Sequence, residues 1–157
     1  MPAGRIAIRR LDDLMSQRAS FAYETMLSSR QAMNVMRRAR REHYQVGLAF
    51  VVLQAPELNV ARVRQRVFEG GHDIPTGTIL RRYELAVSSL AEAIPIAHET
   101  VVFDNTAVTP VSLIEIRKGV VMRNALEASV GLHVRIAQVV ATALNCEMRE
   151  LLVASGR

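Results

Sequence analysis

The sequence is poor in cysteine, lysine and aromatic residues, and each scarcity excludes something. Cys146 stands alone among 157 residues, which rules out an intramolecular disulfide framework and a multi-cysteine zinc site and fits a reducing compartment. It reads as a small buried hydrophobe. Aromatic residues make up 4% of the chain, too few to supply the stacking platforms on which single-stranded nucleic acids lie. No segment approaches about twenty uninterrupted apolar residues. The start, "MPAGRIAIRRLDDLM", lacks the apolar stretch and small-residue cleavage site of a secretory signal. Neither export nor membrane spanning is indicated, and the expected location is the cytoplasm.

What is present begins with arginine. Lys118 is the only lysine, so the net charge of +5 and the pI near 10.3 come from arginine, the side chain suited to bidentate recognition of phosphate or carboxylate. The densest cluster, "RRARREH", has no interleaved aromatics and reads as a solvated helix face, which disfavours nucleic acid as the partner. His43, His72, His98 and His133 are scattered without metal-ligand spacing, so no metal site is expected. With half of its residues hydrophobic, the chain is long enough for one globular core.

Along the chain, Ile6, Ile8, Leu11, Leu14 and Met15 fall at roughly helical spacing, and "SFAYE" follows as an apolar run of strand length. Next, Ser28 or Ser29 offers a cap to an amphipathic helix with Ala32, Met33, Met36 and Ala39 inward and Arg37, Arg38, Arg40 and Arg41 outward. "YQVGLAFVVLQ" has the pattern of a strand buried on both faces, and "HETVVFDN" and "VSLIEI" repeat the signal. The order predicts an α/β domain on a parallel sheet with flanking helices, in which ligands sit beyond the carboxyl ends of the strands. From Gly119 on, apolar residues recur at helical intervals, so residues 110–157 are expected to be a helical extension to a core of residues 1–109, with the boundary at Pro110.

Between them lies "QRVFEGGHDIPTGTILRRYELA". A helix carrying Arg62, Arg64 and Arg66 ends at Gly70-Gly71, where glycine supplies a left-handed cap. Pro75 stiffens the crossing, Thr76 or Thr78 caps the next helix, and Arg81 and Arg82 fall near its first turn. Arginines before and after a glycine hinge can close over a phosphoryl group and exclude water. Residues 66–82 are therefore expected to form a lid.

The ordered set "SFAYETMLSS", "RVRQRVFEGGHDIP", "ILRRYELAVSSL" and "VFDNT" resembles the central and carboxy-terminal part of the zeta-toxin-like P-loop kinases over residues 3–106. The best-known members of that family phosphorylate UDP-N-acetylglucosamine. The resemblance implies a P-loop-kinase-like fold and transfer of phosphate from ATP, with Mg2+, to a hydroxyl such as that of a UDP-amino sugar. It further implies phosphate-binding catalytic roles for Arg66 and for Arg81 or Arg82, and substrate binding by Glu24, Thr25, Ser28 and His72. Asp104 and Asn105 would lie near the nucleotide, and an antitoxin is an implied partner. Met26 and Ser29 depart from the commoner threonine and glycine.

The same resemblance exposes a gap. A P-loop kinase needs Gly-x-x-x-x-Gly-Lys-Ser/Thr, whose backbone amides cradle the phosphates while lysine bridges them. The chain has no such motif: Lys118 stands in "IEIRKGVV" with no glycine loop before it, and Asp12 and Asp13 lie in a helical pattern, poorly suited to be the base. The first βαβ element is absent from these residues. Three expectations follow: part of an ATP-dependent kinase completed by a missing amino-terminal fragment and inactive alone; a non-catalytic binding or regulatory paralogue that forms a homo-oligomer through an exposed sheet edge; or, least favoured, a basic nucleic-acid-binding protein.

Overall fold

A computed structural model describes residues 3–152. Residues 1–2 and 153–157, the outer ends of the two segments expected above, lie outside the described residues. The elements run α1 (Ala3–Ser16), α2 (Arg30–Arg41), β1 (Gly47–Val52), α3 (Pro56–Phe68), α4 (Thr76–Ile96), β2 (Glu99–Asp104), β3 (Val111–Arg117), β4 (Val120–Asn124), α5 (Gly131–Leu144) and α6 (Met148–Leu151).

The α/β class holds, but the sheet is mixed rather than parallel. Its four strands lie in the order β1-β2-β3-β4; β1 pairs with β2 in parallel, and β3 and β4 are added antiparallel. The parallel pair arises because α3 and α4 form a crossover long enough to return the chain to the same end of the sheet. The antiparallel pair arises at Lys118-Gly119, both with positive φ (49° and 78°), the conformation that a two-residue hairpin turn demands. The expected helical extension over 110–157 is thus helical only from Gly131, because residues 111–124 join the sheet as a hairpin.

"SFAYE" is not a strand. Residues 19–28 contain neither helix nor strand, because no strand lies beside them with which to form a ladder. Nor is β1 buried on both faces: Phe50 and Val52 are buried while Gly47, Ala49 and Val51 are exposed, so only one face has a helical cover.

Helix α4 organises the core. Ile79, Tyr83, Val87, Leu90 and Ile94 recur at intervals of three or four and bury one stripe, and the helix packs on α2, α3 and α5. Leu132, Ile136 and Val140 of α5 meet that stripe, and Val102, Ile114 and Ile116 close it from the sheet. One core cluster therefore draws on residues from both sides of Pro110. The inward stripe of α2 is as expected, with Ala32, Met33 and Ala39 buried and Met36 packed beside the core. Its arginines are exposed to half-buried, yet they are not idle: Arg37 pairs with Glu92, Arg38 with Asp12 and Glu42, and Arg40 meets His98. In α1, Leu11 and Met15 are buried while Ile6 and Ile8 are exposed. Cys146 is half-buried against the core.

Candidate functional site

A cleft of about 780 Å³ opens beside β1. One wall is the ladder-free segment of residues 21–27, the other is β1 itself, and α2, α3 and α4 contribute the remaining sides. Its lining is mostly apolar, with a small polar set that includes Glu24, Thr25, Gln45, Asn59 and Arg82 besides the tyrosines.

The segment is held at both ends. Phe21 packs edge-on against Tyr44, with ring centroids 5.8 Å apart, and Leu27 is buried at φ 54°. A left-handed leucine is costly, and here burial of its side chain in the core holds it in place. The hydroxyl of Thr25 accepts a bond from the Leu27 N–H at 3.4 Å, which shapes the same corner. Between these anchors Glu24 and Thr25 are exposed at the rim, and Ser28 is half-buried outside the lining.

The glycine hinge has the expected physics. Gly70, at φ 93°, donates to the Val67 carbonyl at 3.0 Å, and Gly71 donates to the Arg66 carbonyl at 2.8 Å, the paired bonds of a Schellman cap on α3. A Cβ on Gly71 would sit 2.8 Å from both Cγ and the carbonyl oxygen of Arg66, so the position has no room for a side chain. Neither Thr76 nor Thr78 caps α4: Pro75 occupies the N-cap, and its carbonyl accepts from Thr78 N–H at 2.8 Å.

The proposed lid arginines separate. Arg82 is half-buried and lines the cleft, whereas Arg66 and Arg81 are exposed and do not, and exposed His72 is likewise outside the lining. Arg62 donates to the Asn105 carbonyl at 2.7 Å and so braces the loop after β2. That loop is sewn to β1: Asn105 N–H donates to the Val52 carbonyl at 2.9 Å, and Gln54 N–H donates to the Thr106 hydroxyl at 2.7 Å. Thr106 in turn gives both its N–H, at 2.8 Å, and its hydroxyl proton to the Asp104 carboxylate. Asp104 and Asn105 thus sit at the carboxyl ends of the parallel pair, but outside the cleft lining and occupied by structural bonds.

Beneath Arg82, the hydroxyl of buried Tyr83 donates to the Leu53 carbonyl at 2.8 Å. Burial pushes this phenol above its ordinary value, and the Arg135 guanidinium, 5.4 Å from the ring centroid, opposes the shift. Arg135 also pairs with Glu84 and holds that carboxyl below its usual range. Asn59 was missed in the sequence; it lies four residues before Val63 on α3, and both line the cleft.

Lys118 lies at the hairpin turn, where its N–H donates to the His98 carbonyl at the opposite end of β2, and no glycine loop approaches the cleft. Among the described residues there is no group of three or more acidic, histidine or cysteine side chains able to hold a metal ion, and no helix is long and apolar enough to cross a membrane.

No protein-family profile matches the chain, and no solved structure matches it. It is similar to an uncharacterized protein of Haemophilus influenzae, 32% identical over 81 residues, which is 52% of this chain. The chain spans 58% of the length of that relative.

Proposed function

We propose that this chain supplies the acceptor-side cleft and the lid of a phosphoryl-transfer site of the zeta-toxin type, and binds a small phosphate-bearing molecule with free hydroxyls, such as a UDP-amino sugar. The observation that carries this reading is the convergence of Arg82 with Glu24 and Thr25 on one cleft from two separate parts of the chain. A half-buried guanidinium with apolar neighbours is little shielded by water, so it grips a phosphate by paired hydrogen bonds. Glu24 accepts from a sugar hydroxyl, and Asn59 and Thr25 can give and accept. The Schellman turn at Gly70-Gly71 lets the crossing between α3 and α4 close toward a ligand held at Arg82, which the buried Ile79 and Tyr83 keep in place, and sheds water.

Without a lysine or a phosphate cradle at this cleft, the chain alone binds rather than turns over. That favours a binding or regulatory role in isolation, and a kinase role only where the phosphate grip comes from elsewhere.

Calorimetric titration of the full chain with UDP-N-acetylglucosamine tests the reading. Arg82→Ala should weaken binding about tenfold or more, the loss of one charge-assisted pair, while Arg81→Ala should leave it nearly unchanged. No binding by the folded wild-type chain, or equal losses in both variants, would sink it.

A further inference from the structure

At the amino-terminal ends of β1 and β2, a second hollow of about 650 Å³ lies between the last turns of α2, α4 and α5 and the hairpin turn. Among the described residues Gln45 alone lines both this hollow and the cleft, and no carboxylate lines this one. His98 stands in it with its orientation fixed. Its N–H donates to the Val46 carbonyl at 2.8 Å, its carbonyl accepts from Lys118 N–H at 2.8 Å, and its Nδ1 accepts from Val46 N–H at 2.9 Å. A ring nitrogen that accepts carries no proton, so the imidazole proton is on Nε2. Turning the ring over would strip Val46 N–H of its acceptor. Nε2 faces the Arg40 guanidinium, and arginine has donors only, so two N–H groups meet with no acceptor between them. Arg38, on the same helix, is paired with Asp12 and Glu42, whereas Arg40 has no carboxylate partner among the described residues. Lys118, the only lysine in the chain, lines the same hollow and holds φ 49° at a turn position that asparagine or glycine fills at lower cost.

We propose that Arg40, His98 and Lys118 form a second anion site, which takes the phosphate group of a small molecule. Two donors that face each other are satisfied by a negatively charged acceptor with several oxygens, placed between them. Arg40 is exposed on a long stem, so a rotation of its side chain opens the place while His98 stays pinned by its backbone bonds. The donors come from three separate parts of the chain, the last turn of α2, the residue before β2 and the hairpin turn, which suits the oxygens of a phosphate better than the two of a planar carboxylate. The carboxyl ends of α4 and α5 bring partial negative charge to the same hollow, and the full charges of one arginine and one lysine outweigh it. Pro95, Ala143 and Leu144 form an apolar wall beside the donors, where the organic part of a phosphate ester can lie. The volume falls in the range of small-molecule sites, about 300–1,000 Å³. Arg82 lies by the carboxyl end of β1, where its neighbour Tyr83 reaches Leu53, so this inference does not depend on what the cleft takes.

Nitrogen-15 NMR of the histidine side chains of the full chain tests it, with inorganic phosphate and glycerol 3-phosphate as probes. In phosphate-free buffer His98 should hold its proton on Nε2, and added probe should shift Nε2 along a curve that saturates. Arg40→Gln should weaken that binding about tenfold or more, and so should Lys118→Asn, which keeps a residue at ease with positive φ in the turn. Arg41→Gln removes the same charge from the same turn of α2 outside the hollow, and it should leave binding nearly unchanged, as should Arg82→Ala at the cleft. Tighter binding of the ester assigns the apolar wall to its organic part, and equal binding of the two probes assigns the site to the free ion. A proton on Nδ1, a shift that only rises linearly with phosphate, or an equal loss in Arg41→Gln overturns the proposal.

Discussion

At Tyr83 one hydroxyl ties the middle of α4 to the end of β1, and its loss leaves the buried Leu53 carbonyl without that donor. Tyr83→Phe should cost about 1–2 kcal/mol at neutral pH in a denaturant titration, the penalty of an unmet buried acceptor. The alkaline limb carries a second signature. The folded phenol titrates above its ordinary value of about 10, chiefly through burial, so its contribution is complete below that pH and is lost as pH rises from there through the folded value. Tyr83→Phe should remove that part of the decline. The neighbouring arginines show how far a sequence reaches at this scale. Arg81 and Arg82 are equivalent in the sequence, but Arg82 lies three positions after buried Ile79, beside the buried stripe, while Arg81 lies across the helix. The choice was legible once the stripe of α4 was known. The bonds that occupy Asp104 were not, since they depend on Thr106 and Gln54 meeting across two strand ends.

Among the elements, those with the strongest local signals were the easiest to read. Runs of Val and Phe marked β1 and β2, and the period of Ala32, Met33, Met36 and Ala39 marked α2. "SFAYE" had equal strand character and formed none, because a strand is completed by a partner and the propensity of a run is silent about its neighbours. The hairpin β3-β4 had a usable signal in Lys118-Gly119 between two β-branched runs, which the helical period of the later residues obscured. The packing of α5 on α4 depends on shape at its centre. Ile136 is fully buried there, and Ile136→Ala should cost about 2–5 kcal/mol by thermal or chemical unfolding, the span expected when a buried aliphatic side chain leaves a cavity. A cost below 1 kcal/mol would mean that the two helices close the gap by sliding together.

For the molecule as a whole, the arginine surplus looks different in three dimensions from its sum. Arg37, Arg38, Arg117, Arg123 and Arg135 each face a carboxylate. Such exposed pairs add little stability, but they break the positive field into local dipoles. Duplex DNA should therefore bind no tighter than the nonspecific range, roughly 10⁻⁴ to 10⁻⁶ M at physiological salt, in a fluorescence anisotropy titration. Nanomolar binding would revive a nucleic-acid partner. The crossover between Val52 and Glu99, which holds α3 and α4, also sets an order of events. A chain must surrender the closure entropy of that whole loop before β1 gains its first ladder bond, whereas β3 and β4 meet across two residues. The hairpin should therefore protect its amides before β1 does in a pulsed hydrogen-exchange refolding experiment, with the strand at the sheet edge the last to arrive.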